Sequence, residues 1–203
     1  MSSAEALQTL ADRYWDFRRE EFPIEAVHTD TPPSSNDLFR EAPEDYERRS
    51  RWAADMLVEF DALDLAGLTR AQRATHGLMR DELAAMVEIV ACRGHLRPSI
   101  YPLGPDFTLG YWASSTNLNS LDDADRYLAR LGHIPAALEG VRRSLILGVE
   151  QGFRYPKLVV ERANGIARAQ AGRAADDSQF LAPLSRLSAR GAAFADLVAR
   201  GRN

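Results

Sequence analysis

The sequence has little of several reactive residues. It holds one cysteine, Cys92, and one lysine, Lys157, and its four histidines are scattered at positions 28, 76, 95 and 133. Each scarcity excludes something. A lone cysteine forms no intrachain disulfide, and on the apolar stretch "AAMVEIVACR" it reads as a small core hydrophobe. No histidine is followed by glutamate, so the H-E-x-x-H zinc pattern is missing, and no two histidines sit four residues apart on one helical face. There is no G-x-S-x-G elbow for a nucleophilic serine, and no glycine-rich loop after a strand to cradle phosphate. No run approaches the roughly 18 apolar residues of a membrane span. The opening "MSSAEALQTLADRYWDF" lacks the basic and apolar regions of a signal peptide. The expected location is therefore the cytoplasm, with no membrane partner. A net charge of −4 and a pI near 5.6 speak against a nucleic-acid partner.

What is present is helix. The 203 residues are 45% hydrophobic and 27% charged, enough to bury a core without staples. Ser2 with Glu5 forms a capping box, and Leu7, Leu10, Tyr14 and Phe17 follow on one face. Pro23, Pro32 and Pro33 break that helix. A second helix is expected from Pro43 to Leu63. A third is expected from the Thr69–Gln72 capping box to Arg93, stopped by Gly94, and the two should form an antiparallel hairpin. Further helices open at Ser120–Asp123, at Pro135 and at Pro156, and a last one runs from Asp177 or Ser178 to about Arg200. No alternating strand pattern appears. The expected fold is all-α: roughly seven mainly antiparallel helices in a single helical domain over 1–203, with one long aromatic loop.

That loop, roughly 94–119, contains "LGPDFTLGYWASSTNLN". Loops of this length in compact domains are usually functional or disordered, and aromatic content argues against disorder. It reads either as a plug packed across the helices or as the wall of a ligand cleft. The candidate groove-lining residues are Tyr101, Phe107, Tyr111 and Trp112, with Asn117 and Asn119 as polar contacts. The many paired carboxylates, such as "PEDYE" at 43–47 and "DD" at 122–123, read first as helix-terminus charge rather than acid–base pairs.

One stretch carries a resemblance. "DDADRYLARLGHIPAALEGVRRSLILGVEQGFRYPKLVVERA" joins an acidic-Ala-x-x-Tyr-Leu-x-x-Leu helix to a Pro-started helix, then Gly, a gap, Pro, a basic residue and an apolar run. Asp123, Ala124, Tyr127, Leu128, Leu131, Pro135, Gly148, Gly152, Pro156 and Lys157 carry the pattern. "LADRYWDFRREEFPIEAVHTD", "RWAADMLVEFDALDLAGLTRAQRATHGLMRDEL" and "SQFLAPLSRL" add to it. Together they resemble the domain of unknown function 885 family of bacteria, in its amino-terminal part.

The resemblance implies a helical protein related to zinc-dependent peptidases, whose His-Glu-x-x-Pro-Gly-His motif lies later in longer members. No residue of this chain matches that motif, so no catalytic or metal-ligating residue carries over. No cofactor is expected in this chain, and zinc only where a carboxy-terminal half supplies its ligands. The expected function is the non-catalytic amino-terminal part of a metallopeptidase-like hydrolase, lining a substrate groove. The alternative is a stand-alone helical module that binds a peptide, a small ligand or a protein. The expected partner is a complementary chain, or a second copy, covering an exposed apolar face; "LIL" at 145–147 hints at a helix buried on more than one side.

Overall fold

The computed structural model describes residues 2–26 and 37–202, and these are all-α, with no strand among them. Pro32, Pro33 and His28 lie outside the described residues. The local signals place most helices. The Ser2–Glu5 capping box opens α1 (Ser3–Glu21). A one-turn α2 (Pro23–Ala26) follows. Pro43 starts α3 (Pro43–Asp61), where the Asp45 carboxylate reaches back to accept from the Ala42 N–H. The Thr69–Gln72 box opens α4 (Arg70–Ala91).

These long helices make the first core. Arg13 pairs with Glu59, Phe17 stacks on Trp52 and Arg48 clasps Glu21, so α1 runs antiparallel to α3. Arg80 meets Asp61 across the turn into α4. Leu7, Leu10, Tyr14, Met56, Phe60, Met79 and Leu83 fill the space between the three helices. His76 belongs to this core. It is buried, and its Nε2 lies 2.9 Å from the Phe60 carbonyl oxygen, a polar tie across the hairpin. Cys92, expected inside, is exposed at the end of α4 instead.

The segment expected to be one long loop is helical at its centre. Pro105 does not break structure here; it occupies the first turn of α5 (Pro105–Ser115). Leu109, Trp112 and Ala113 form its buried face, at helical spacing. Irregular chain remains on either side, including a single 3-10 turn at Gly94–Leu96 and a cis peptide bond at Tyr101–Pro102.

The second core is built from shorter pieces. Ser120 and Asp123 cap α6 (Leu121–Gly132), and Pro135 sits in the first turn of α7 (Ile134–Glu150). Gly152 takes a left-handed φ of 91° after α7, and α8 (Lys157–Ala171) then runs straight through Gly165. The last helix expected from the sequence is divided. Ser178 caps a 3-10 turn, α9 covers Ala182–Ser188, and α10 covers Leu197–Gly201. Gly191 at φ 155° turns the chain between them. Leu38, Trp112, Tyr127, Leu181, Leu184, Leu187 and Leu197 meet in this core.

α7 lies against the first bundle through small residues. Its buried positions are Ala137, Val141, Ser144 and Gly148, while Ile146 of the "LIL" run points outward. Gly148 is obligatory for the approach: a Cβ there would fall 2.0 Å from the Leu96 carbonyl oxygen. At Gly140 a Cβ would lie 3.1 Å from the Ala42 backbone nitrogen. Two stretches of backbone, 37–42 and 94–96, therefore lie directly on one helix face.

Candidate ligand-binding cleft

The segment 37–42 is pinned from several sides. Leu38 is buried, and its carbonyl accepts from the Ile24 N–H at 3.2 Å. Arg49 donates to the Arg40 carbonyl at 2.8 Å, and the Ser144 hydroxyl donates to the Glu41 carbonyl at 2.6 Å. With its backbone fixed, Glu41 extends its side chain into a cleft of about 310 Å³. Its lining includes Phe22, Ile24 and Phe39, together with Val141 of α7. A further wall is Pro98, Ser99, Leu103, Gly104, Pro105 and Thr108, from the stretch before α5 and its first turn. The Tyr155 hydroxyl holds that wall by donating to the Pro98 carbonyl at 2.5 Å.

Among the described residues, Glu41 is the acidic group of the cleft. The Tyr46 hydroxyl, on α3, donates to Glu41 Oε2. Burial pushes the Glu41 carboxyl above the ordinary carboxylate range, against the opposing pull of the Tyr46 hydrogen bond and the Arg49 charge. Burial, then the neighbouring Glu41, pushes the Tyr46 phenol up as well. Arg49 lies over the Tyr46 ring, its guanidinium carbon 4.4 Å from the centroid, and the His95 ring centroid is 5.5 Å from the same ring. A carboxyl and a phenol in an apolar cleft can hold and orient a hydrogen-bond donor. Hydrolysis would further need an activated water or nucleophile.

The residues singled out from sequence do not converge. Trp112 is fully buried and stacks on Tyr127 with ring centroids 4.9 Å apart, so it is core and not a ligand surface. Phe107 and Tyr111 stack on one another on the outward face of α5, 51% and 58% exposed. Tyr101 is exposed on the loop before it. Asn117 and Asn119 are exposed beyond its far end, where the Asn119 side chain accepts from Arg190 at 3.2 Å. The loop does supply a cleft wall, but through Pro98–Thr108. Glu41 and Tyr46 were hidden inside the acidic run "REAPEDYE". The available signal was that Asp45 already serves the helix start, which leaves Glu41 without a capping role.

Two other depressions carry internally paired charge. One lies across segment 37–42, where Asp37 contacts both His133 Nδ1 at 2.9 Å and Arg40 at 2.7 Å. The Arg40 hydrogen bond holds the Asp37 carboxyl below its usual range. The other lies beside Phe17 and Trp52, where Glu21 is buried against Arg48 and Arg40. For a zinc ion the described residues do not fit. His76 and His95 are buried against backbone carbonyls, the exposed His133 contacts Asp37, and no group of three His, Cys, Asp or Glu is placed to hold a metal. Among the described residues, no helix is long and apolar enough to cross a membrane.

Fold and site together define an all-α protein with a ligand-sized apolar cleft between its helices. The profile of one family, described as "Bacterial protein of unknown function (DUF885)", matches residues 23–202, and the chain belongs to that family. No curated protein and no solved structure matches it.

Proposed function

We propose that this chain is the groove-forming, non-catalytic helical part of a peptidase-like hydrolase, and that the cleft beside Pro98–Thr108 receives a short stretch of substrate peptide. The observation that carries this reading is a largely apolar cleft whose one carboxyl among the described residues, the half-buried Glu41, is oriented by Tyr46. Apolar walls with few, fixed polar groups are what small-ligand and peptide sites require. On this reading zinc and the water-activating groups belong to residues outside this chain, in a further segment or a second protein. Calorimetric titration of the peptide Leu-Ala-Leu-Phe amide tests it. Thr108→Trp, which fills the cleft, should weaken binding by about tenfold or more while leaving thermal unfolding in place. Undiminished binding by that variant would overturn the reading.

A second reading, a stand-alone module that pairs with another copy, is favoured by α8. That helix has no buried residue, and it exposes Leu158 and Val160. Sedimentation that stays monomeric up to high micromolar concentration would remove this reading.

A further inference from the structure

Among the described residues, the acid of the cleft has no ion-pair partner. The hydrogen-bond partner of the Glu41 carboxyl is the Tyr46 hydroxyl, a neutral donor. Arg49, whose charge reaches Glu41, directs its Nη1 to the Arg40 carbonyl and lies over the Tyr46 and Phe22 rings. Arg40 pairs with Asp37 and Glu21, and Arg48 with Glu21 and Asp45. Among the described residues no arginine or lysine forms an ion pair with Glu41. Tyr46 engages Oε2, which leaves Oε1 for whatever enters. The cleft is lined mainly by apolar groups, among them Phe22, Ile24, Phe39, Leu103 and Val141, with Ser99 and Thr108 as further polar side chains.

We infer that the cleft takes a protonated amine carried next to an apolar side chain, and that the ligand class is a peptide with a free, apolar amino-terminal residue. The inference rests on the cleft reading above and adds the chemistry of the end that enters. A half-buried carboxylate with no ion-pair partner is costly to keep charged, and an ammonium supplies both the charge and strong hydrogen bonds. A ligand carboxylate would be repelled by Glu41. A blocked amino terminus would leave the acid uncompensated after the ligand had excluded water from it. The raised proton affinity of Glu41 is what an empty site of this kind should show, because burial opposes its charge until a cation arrives.

The test uses the whole chain and two probes, Leu-Ala-Leu-Phe amide with a free amino terminus and its N-acetylated form. The free form is expected to bind about tenfold or more tighter, the size of a charge-assisted hydrogen bond. Glu41→Gln should abolish that preference, and Tyr46→Phe should reduce it. Equal binding of the two peptides by the unmodified protein overturns the inference. The cleft reading then still stands if Thr108→Trp weakens both. Binding of neither peptide, or binding that Thr108→Trp leaves untouched, overturns both readings. The comparison of the two peptides needs no variant, so it decides the matter even where Glu41→Gln fails to fold.

Discussion

The amino-terminal bundle and the carboxy-terminal core treat their aromatic residues differently. In the bundle, burial follows the helical period along long helices, with Tyr14 and Phe60 inside and Trp15, the neighbour of Tyr14, turned outward. In the second core, the short α5 buries Trp112 on one side and exposes Phe107 and Tyr111 on the other. A helix that is apolar all round has no periodic stripe to read. The bundle is thus held by repetition along three long helices, and the second core by a few large side chains at the crossing of many short ones.

The sharpest way to break this comparison is Trp112→Ala. Removing a fully buried indole should cost about 3–5 kcal/mol by urea unfolding. If the two cores unfold separately, amide exchange in α3 and α4 will stay slow in that variant. Uniform loss of protection would show one cooperative unit. Gly148→Ala attacks the junction, and the Leu96 carbonyl in its way implies a loss of about 1–3 kcal/mol in the same assay. Gly165→Ala on α8, with nothing within 4 Å of its added Cβ, should instead stabilise by about 0.5–1 kcal/mol.

The cleft acid gives a prediction of sign. The folded state holds the Glu41 proton more tightly than the unfolded chain, so its contribution is fully present at low pH. That contribution falls as pH rises through the carboxylate range towards the raised value. Glu41→Gln removes the fall, so the variant should gain on the parent as pH rises from the ordinary carboxylate range through the raised value, read from urea midpoints. The smallest effect belongs to Tyr111→Ser, one position from Trp112 and more than half exposed. It should shift stability by no more than about 0.5 kcal/mol.

What the sequence revealed was whatever is local. The boxes at Ser2–Glu5, Thr69–Gln72 and Ser120–Asp123 each close within three residues, and all three stand in the structure. The long helices of the bundle followed, because their apolar stripes are regular. α5 was hidden because Gly104, Pro105 and Gly110 look like loop chemistry, although Pro105 starts the helix and does not prevent it. The division of the last helix was hidden because Gly191 reads as a tolerated weak point. The cleft was hidden for a third reason. Phe22, Glu41, Tyr46, Leu103 and Val141 are brought together only by tertiary packing, and no spacing rule connects them.

The small-residue face of α7 has a consequence for how this protein can vary. Gly140 and Gly148 let the backbone at Ala42 and Leu96 approach α7 closely, and the Ser144 hydroxyl ties down the Glu41 carbonyl, so small residues set the positions of both backbone strips. The frame of the cleft is therefore independent of the side chains that line it. Leu103 and Thr108 can be exchanged to suit another ligand without disturbing the frame, whereas one added methyl at 148 would prise the two walls apart. The chain separates the part of the site that can be tuned from the part that must stay constant, and the constant part is made of residues with almost no side chain.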